Sequence, residues 1–335
     1  MTPIDPGTIR QLVVRAPNWL GDSVMALPTL RALRAGVPRG QITLVGPWAE
    51  LFSDQGVADR VIAYPSRVTG RLALTRVLRP LGADTALLLP NSFESALAAW
   101  RWGPRQRVGF STDGRSWLLT HPVQRPTPRR HQVDEYLELL SVFNLEPGET
   151  APIWKLLPSR ADGAVAALLS GAGVGNDARL VGLHLGAAFG PSKLWAVERW
   201  ASLAAELTRR GLMPVLLGSR RDLPQALEVQ RRCPTPVASL VGRDAPSLLP
   251  RLLSRLTLLV AGDTGVAQLA AALEVGVVAL FGPTDPRLTA PRGKRVLTIA
   301  KAVPCAPCFL SECPIHHPCM GGISVDEVVA AALGL

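Results

Sequence analysis

Short apolar runs alternate with longer amphipathic stretches along the whole chain. In the first half, the runs with the Val, Ile and Leu content of strands lie at 12–16, 42–47, 60–65, 85–90 and 107–110. Helical spacing of apolar residues lies between them, most clearly from Asp22 to Ala35, and again at 133–143. This alternation predicts βαβ units and a parallel sheet covered by helices on both faces.

The same rhythm restarts after a break at 144–159, where three prolines and a glycine interrupt any regular pattern. Strand-type runs then follow at 180–186, 213–219, 237–242, 256–263, 277–282 and 295–300. A last helix is predicted from Ser324, which stands at the N-cap position before two acids. We therefore predict two doubly wound α/β domains, at 1–155 and 156–322, and a C-terminal helix at 323–335.

Length and composition agree with this organisation. The chain has 335 residues, of which 47% are hydrophobic, and this is too long for one ordinary core. The longest clean apolar runs, at 86–90 and 275–282, are far shorter than the roughly 20 residues that span a bilayer. The N-terminal segment lacks the basic and apolar regions of a signal peptide. We expect a cytoplasmic protein that no segment anchors across a membrane.

Positive charge is concentrated in one segment. Between Arg101 and His131 the chain holds seven arginines against one acid, Asp113, and so carries +6 of the net charge of +10. This predicts an anionic partner: a phosphate-bearing lipid, a membrane surface or a nucleic acid. The alternative is a set of ordinary solvated arginines.

Three loops stand at strand-to-helix turns, where backbone N–H groups and the helix dipole favour anions. The first contains Gly21 and Asp22. Asp22 is either a helix cap or a carboxylate on the floor of a cleft, where a general base would be needed.

The second loop, at 184–195, follows the first strand of the second domain. Gly186 and Gly190 would permit close approach of the backbone to a phosphate, and Lys193 would supply a positive charge. The order of residues around Lys193 is G-P-S-K and not that of a Walker A loop, so an ATPase is not predicted.

The third loop contains Asp263, Thr264 and Gly265, which open a helix after a strongly apolar strand. The turn could hold a pyrophosphate or could be an ordinary capped helix. A further polar loop, at 282–285, follows the next strand at the same edge of the predicted sheet.

Two common nucleotide-binding patterns are missing from the sequence. No G-x-G-x-x-G opens a helix after a strand, and the glycines at 170–177 are interpreted as a surface loop, so no nicotinamide cofactor is predicted. No D-x-D pair offers a carboxylate clamp for a metal-bound nucleotide. We predict no cofactor, and we expect Lys193, arginines and helix N-termini to neutralise a diphosphate.

Four of the five cysteines cluster at Cys305, Cys308, Cys313 and Cys319. Their spacing fits a structural zinc or iron–sulfur site, and in a reducing compartment a metal is a better interpretation than a disulfide framework. A plain thiol-rich turn is the alternative.

Four strings together resemble the lipopolysaccharide heptosyltransferases of glycosyltransferase family 9, and the heptosyltransferase II branch in particular. They are NWLGDSVMALPTLRALR, GAAFGPSKLW, GDTGVAQLAAAL with GPTDP, and CAPCFLSECPIHHPCM, and they cover nearly the whole chain in the expected order. The resemblance implies a GT-B fold, in which two Rossmann-like domains face each other across a cleft. It also implies an acceptor site in the N-terminal domain and an ADP-heptose site in the C-terminal domain.

By motif position, Asp22 resembles the family's catalytic base, Lys193 the lysine on the donor phosphates and Asp222 the acid on the ribose. The implied donor-binding residues are Gly186, Ser192, Lys193, Asp222, Asp263, Thr264, Gly265 and Gln268. Gln268 departs from the family, since many members have a histidine there, and this leaves the donor sugar open. The charge pattern adds Arg129 and Arg130 as candidate acceptor-binding residues.

The resemblance implies an inverting, metal-independent enzyme that moves heptose from ADP-heptose to a phosphorylated, lipid-linked acceptor of the lipopolysaccharide inner core. Such an acceptor implies peripheral contact with the inner membrane face. One alternative is a family 9 enzyme with another nucleotide-sugar donor or acceptor. A basic, non-catalytic nucleic-acid-binding protein is the other, and it is disfavoured because few aromatic residues are interleaved with the arginines.

Overall fold

The computed structural model describes residues 2–175, 178–243 and 245–335. The chain divides into two compact units, Met1–Ile153 and Trp154–Leu335. Over the described ranges, each unit is built around one six-stranded sheet whose strands all pair in parallel. Within each unit helices connect the successive strands, and this confirms the predicted α/β fold class.

The first sheet has the order β3-β2-β1-β4-β5-β6. Its strands are β1 (Gln11–Arg15), β2 (Gln41–Gly46), β3 (Arg60–Ala63), β4 (Thr85–Leu88), β5 (Gln106–Phe110) and β6 (His121–Val123). The α-helices are α1 (Leu20–Met25), α2 (Leu27–Gly36), α3 (Val68–Leu78), α4 (Phe93–Trp102) and α5 (Gln132–Glu138). Short 3-10 helices lie at Pro6–Thr8, Ala49–Gln55, Arg79–Leu81, Ser116–Leu118 and Leu139–Phe143.

The second sheet has the order β12-β11-β10-β7-β8-β9. Its strands are β7 (Leu180–His184), β8 (Met213–Leu217), β9 (Ala238–Ser239), β10 (Leu258–Gly262), β11 (Gly276–Phe281) and β12 (Val296–Ala300). The α-helices are α6 (Ala161–Ser170), α7 (Val197–Arg209), α8 (Leu223–Arg232), α9 (Leu249–Ser254), α10 (Gly265–Ala272), α11 (Pro286–Thr289), α12 (Pro318–Gly322) and α13 (Val325–Leu333). Short 3-10 helices lie at Pro191–Lys193 and Arg220–Asp222.

Both sheets follow the same winding, and this decides where ligands bind. In the first, the order reverses between β1 and β4, and in the second between β7 and β10. Ligands of doubly wound sheets bind outside the carboxyl ends of the strands at such a switch point. The candidate ligand-binding loops are therefore those after β1 and β4 in the first unit and those after β7 and β10 in the second.

The strongly apolar runs were predicted correctly, whereas three other elements differ from the prediction. The helix predicted from Asp22 to Ala35 is two helices, α1 and α2, joined at Ala26. Pro28 explains the break, because it has no N–H to continue the helical ladder and its ring clashes with the carbonyl four residues before it. The helix predicted at 133–143 ends as α5 at Glu138 and tightens into a 3-10 helix, and the strand predicted at 237–242 is only β9.

β6 is a three-residue strand at the edge of the first sheet that the sequence pattern does not predict. Pro122 at its centre weakens any strand pattern, since proline is tolerated only where the ladder needs no N–H. The last helix, α13, begins after Ser324 as predicted, with a capping box between Ser324 and Glu327. Its Val328 and Val329 pack in the core of the second unit.

The boundary between the two units follows Ile153, inside the proline-rich break. The segment 170–177 was interpreted as a surface loop. Its first residue, Ser170, is the last residue of α6. Residues 176 and 177 lie outside the described residues. In the described part of the chain, no helix combines the length and apolarity needed to cross a membrane.

Candidate functional site

Asp22 lies in the first turn of α1, after the carboxyl end of β1. The N-cap of α1 is Trp19, which makes no side-chain capping hydrogen bond, and Asp22 is the third residue of the helix. Asp22 is therefore not the N-cap residue of α1, although a carboxylate in the first turn interacts favourably with the helix dipole. Asp22 is half-buried.

The loop that leads from β1 to Asp22 is fixed by a buried arginine. Arg15 is wholly buried, donates to the carbonyl of Ala16 and to Oδ1 of Asn18 at 2.5 Å, and stacks 3.7 Å from the centre of the Tyr64 ring. Burial is the main cause that lowers the pKa of Arg15. The indole of Trp48 donates to the carbonyl of Asn18 at 3.1 Å, so the loop is held from two sides.

The hydroxyl of Tyr136 on α5 is affected by the charge of Asp22 and by charges of the arginine-rich segment. Its ring is buried, and burial raises the pKa of the hydroxyl well above its ordinary value, with a further contribution from the negative charge of Asp22. The charges of Arg125 and Arg129 act on the same hydroxyl in the opposite direction. The predicted base and one predicted acceptor-binding arginine thus share a neighbourhood around Tyr136, which the sequence analysis missed.

The arginines predicted to bind the acceptor have carboxylate partners. The carboxylate of Glu135 is fully buried and accepts from Arg129 and, at 2.9 and 3.0 Å, from Arg125. Arg130 pairs with Glu138 at 3.2 Å. Part of the excess charge of this segment is therefore neutralised by acids that follow it on α5, and the roles of Arg129 and Arg130 toward an acceptor stay predictions.

Arg115, from the same charged segment, stabilises the fold of the first unit. It is fully buried, and its guanidinium donates to the carbonyls of Pro90 at 2.5 Å, Ser92 at 3.1 Å and Phe110 at 2.9 Å. Burial lowers its pKa to about 10. These bonds hold the loop after β4, on the other side of the switch point from the loop that leads to Asp22.

In the second unit, three polar side chains meet at the switch point. Lys193 lies after β7, and its Nζ is 2.5 Å from Oδ2 of Asp263 and 3.1 Å from the backbone oxygen of the same residue. Thr284, from the loop after β11, donates to the same Oδ2 at 2.7 Å. Both charged side chains are only 10% exposed, so their pairing is screened less than a surface ion pair.

The N-terminus of α10 completes this cluster. Thr264 is its N-cap but makes no capping bond, and Oγ1 of Thr264 is buried without a hydrogen-bond partner in the described residues. The first N–H groups of a helix also lack partners inside the helix. A buried hydroxyl without a partner beside a helix N-terminus and a lysine is an arrangement suited to a phosphate group.

Gln268 lies in the first turn of α10 and is buried. Its Nε2 donates to the carbonyl of Thr289 at 2.6 Å, and so ties α10 to the end of α11. One of its two polar groups is therefore used by the protein, while its role toward a donor stays a prediction.

Gly186 and Gly190 allow other groups of the protein to approach the backbone closely, and their role toward a phosphate stays a prediction. A Cβ at Gly186 would collide with the carboxylate of Asp222, 2.7 Å from its Cγ. Gly190 has φ of +149°, and a Cβ there would lie 2.9 Å from the Cβ of Ser311. Ser192 likewise donates its hydroxyl to the carbonyl of Leu310 at 2.6 Å. This loop is thus closely packed against its own unit.

Asp222 ends the 3-10 helix after β8, where its Oδ2 accepts from the N–H and hydroxyl of Ser219 at 2.7 and 2.8 Å. His184, the last residue of β7, is a neighbour that the sequence analysis missed. It is 8% exposed, and its Nδ1 is buried without a partner in the described part of the chain. Burial lowers the pKa of His184 to about 4, although the charge of Asp222 opposes this shift.

The pKa of His184 predicts a pH dependence of stability. Between pH 6.5 and about 4 the unfolded chain is protonated at this position and the folded chain is not, so the unfolded state binds more protons. We expect the free energy of unfolding to fall by about 3 kcal/mol from this group as the pH drops through that window. The test is urea unfolding of the wild-type protein and His184→Gln across the window. Equal slopes of stability against pH in the two proteins would contradict the prediction.

Three of the four cysteines of the candidate metal site follow β12, and Cys319 lies in α12. Among the described residues, no group of three or more His, Cys, Asp or Glu side chains is placed to hold a metal ion. The five cysteines are free thiols, and Cys319 is buried in the core of the second unit, where burial raises its pKa. Sequence spacing alone could not reveal that Cys319 packs inward.

The chain is similar to known proteins over most of its length. Residues 71–318 match the profile of glycosyltransferase family 9 (heptosyltransferase). The chain belongs to glycosyltransferase family 9. Lipopolysaccharide heptosyltransferase 2 of Salmonella typhimurium is 28% identical over 309 residues, which cover 86% of this chain and 87% of the relative.

Solved structures of family 9 proteins agree with this assignment. The E. coli structure described as an ADP-heptose lps heptosyltransferase II is 25% identical, with a TM-score of 0.82 over 97% of this chain and 98% of that chain. A family 9 glycosyltransferase from Veillonella parvula is 21% identical, with a TM-score of 0.86 over 99% and 98%, and it supports the fold alone. The GT-B fold class and the glycosyltransferase prediction are confirmed, and the non-catalytic alternative is set aside.

Proposed function

We propose that this family 9 glycosyltransferase transfers heptose from ADP-heptose to the inner core of lipopolysaccharide, with inversion at the anomeric carbon and without a metal. The relatives named as heptosyltransferases support the sugar and the acceptor class. The acceptor is lipid-linked, so we place the reaction at the cytoplasmic face of the inner membrane.

The donor side of the proposal rests on one observation above the others. Lys193, the buried hydroxyl of Thr264 and the N-terminus of α10 converge at the switch point of the second sheet. A diphosphate there would accept from the helix N–H groups and from Oγ1 of Thr264, and Lys193 would offset its charge. Asp222, in the 3-10 helix that follows the neighbouring β8, is the candidate partner of the ribose.

Asp22 is the proposed general base. As the acceptor hydroxyl attacks the anomeric carbon, Asp22 accepts its proton, and the bond from that carbon to ADP breaks. A single displacement of this kind inverts the configuration of the carbon. Negative charge develops on the departing diphosphate, and Lys193 and the N-terminus of α10 stabilise it.

Binding and turnover test the proposal together. We expect ADP to raise the melting temperature, because a ligand that binds only the folded state stabilises it, and UDP and GDP to do so much less. Transfer from ADP-heptose to a deacylated inner-core acceptor, followed by NMR of the new linkage, reports both the donor and the stereochemistry. Stabilisation by UDP in place of ADP, or retention of configuration, would overturn the corresponding part of the proposal. Turnover only with another sugar linked to ADP would identify the alternative donor left open by Gln268.

Chelation provides a separate prediction. We expect turnover to survive excess EDTA, because Lys193 and a helix N-terminus take the role that a divalent cation has in metal-dependent transferases. The measurement is the initial rate with and without EDTA, with circular dichroism as a control for folding. A loss of turnover that magnesium or manganese restores in a folded protein would refute the metal-independent mechanism.

A further inference from the structure

Helices α3 and α4 present apolar side chains to the outside of the first unit. Together with one tryptophan of the neighbouring 3-10 helix they form what we call the α3–α4 surface. Its exposed apolar residues are Val68 (67% exposed), Leu72 (49%), Phe93 (37%), Trp100 (53%) and Trp117 (73%). The rings of Phe93 and Trp117 lie 6.1 Å apart, so the apolar side chains of α4 continue onto the 3-10 helix.

A groove runs between the two helices of this surface. It has a volume of about 190 Å³, and Leu72 and Thr75 of α3 line it together with Leu97 and Ala98 of α4. The helical positions explain this arrangement. Leu74 and Leu78 of α3 point into the core, so the residues on the other side of the helix face outward. Soluble proteins rarely expose large apolar patches that have no partner.

The segment that contains α3 and α4 is strongly positive. Residues 60–105 contain seven arginines against two acids, Asp84 and Glu94. One of the seven, Arg71, lies 3.4 Å from Glu94. Within the described ranges, no carboxylate pairs with the exposed side chains of Arg67, Arg76, Arg79, Arg101 and Arg105. The α3–α4 surface therefore differs from the segment at 125–130, where the arginines are paired with Glu135 and Glu138.

We propose that the α3–α4 surface docks on an anionic lipid bilayer, an inference that rests on the proposed lipid-linked acceptor. Exposed apolar and tryptophan side chains next to arginines that lack acidic partners match the headgroup region of such a bilayer. α3 has 11 residues, too few to span a membrane, and would lie along the interface. α4 starts directly after the loop that Arg115 holds at the switch point, so docking would bring the acceptor's membrane to the catalytic edge of the sheet.

The test is co-sedimentation of the full chain with lipid vesicles. We expect binding to vesicles of phosphatidylcholine mixed with phosphatidylglycerol, much weaker binding to phosphatidylcholine alone, and a decrease with added salt. Leu72→Glu combined with Trp100→Glu should weaken binding by about tenfold or more, and Arg67→Ser combined with Arg76→Ser should have a similar effect. Leu227→Glu, at an exposed apolar residue of α8, and Arg39→Ser, at an exposed arginine outside the surface, are the matched controls.

Several outcomes would overturn the inference. One is that the wild-type protein binds anionic and neutral vesicles equally. Another is that the control variants lose as much vesicle binding as the surface variants while their melting temperature is unchanged. Self-association that Leu72→Glu abolishes, without vesicle binding, would assign the surface to a second copy of the chain. Transfer to the deacylated acceptor separates the two proposals. If transfer occurs without vesicle binding, only the docking surface fails, and if vesicles are bound without transfer, only the proposed function fails.

Discussion

Asp22→Asn is expected to slow heptose transfer by roughly 10² to 10⁴-fold, the usual contribution of a general base. Asparagine has nearly the same size, so the first turn of α1 should be kept. It cannot accept the proton of the attacking hydroxyl. Because the donor cluster of Lys193 and Asp263 is untouched, the dissociation constant of ADP should not change. The measurements are kcat, the dissociation constant of ADP and the melting temperature.

Asp162→Asn is the matched control for this variant. Asp162 also lies in the first turn of a helix, α6, so its substitution reproduces the loss of a favourable interaction between charge and helix dipole. We expect it to leave kcat unchanged. Near-normal turnover of Asp22→Asn would refute the role of Asp22 as base and leave only its interaction with the helix.

The strands could be predicted because their apolar composition is visible in short stretches of the sequence. A strand covered on both faces must be apolar along its whole length, and β10 and β11 have this composition. The loops of Lys193, Asp263 and Thr264 were predicted as anion sites because each follows an apolar strand at a strand-to-helix turn. The structure adds that these loops lie at the switch point of the second sheet, where Lys193 contacts Asp263.

What the sequence could not reveal is which partner a polar residue has in space. Arg115 looked like part of a basic surface, yet it is buried and donates to the carbonyls of Pro90 and Ser92 in the loop after β4. Gly186 was expected to let a phosphate approach the backbone, and nothing in the sequence indicated that the carboxylate of Asp222 would lie beside it. His184 had a detectable signal, as a histidine that ends a buried strand before a glycine-rich loop. Pairings of this kind depend on tertiary contacts and have no local pattern.

Lys193→Met is expected to weaken ADP binding by about 10 to 100-fold, since hydrogen bonds to charged groups contribute about 1.5–3 kcal/mol. Turnover should fall by about 10² to 10³-fold, because the charge on the leaving diphosphate is largest in the transition state. A second effect adds to the first. The carboxylate of Asp263 loses its partner at 2.5 Å and becomes a nearby negative charge that repels the diphosphate. The measurements are calorimetric titration with ADP and kcat.

A double substitution separates these two effects. In Lys193→Met with Asp263→Asn the repulsion is gone while the lysine is still missing, so ADP should bind more tightly than to Lys193→Met alone and more weakly than to the wild-type protein. Lys294→Met is the matched control, since Lys294 is an exposed lysine of the same unit, 3.4 Å from Glu274, and its loss should change neither quantity. ADP binding by Lys193→Met at wild-type strength would show that this lysine does not contact the diphosphate. If the double variant bound no better than the single one, Asp263 would not be repelling the ligand, and the electrostatic account of the donor site would be wrong.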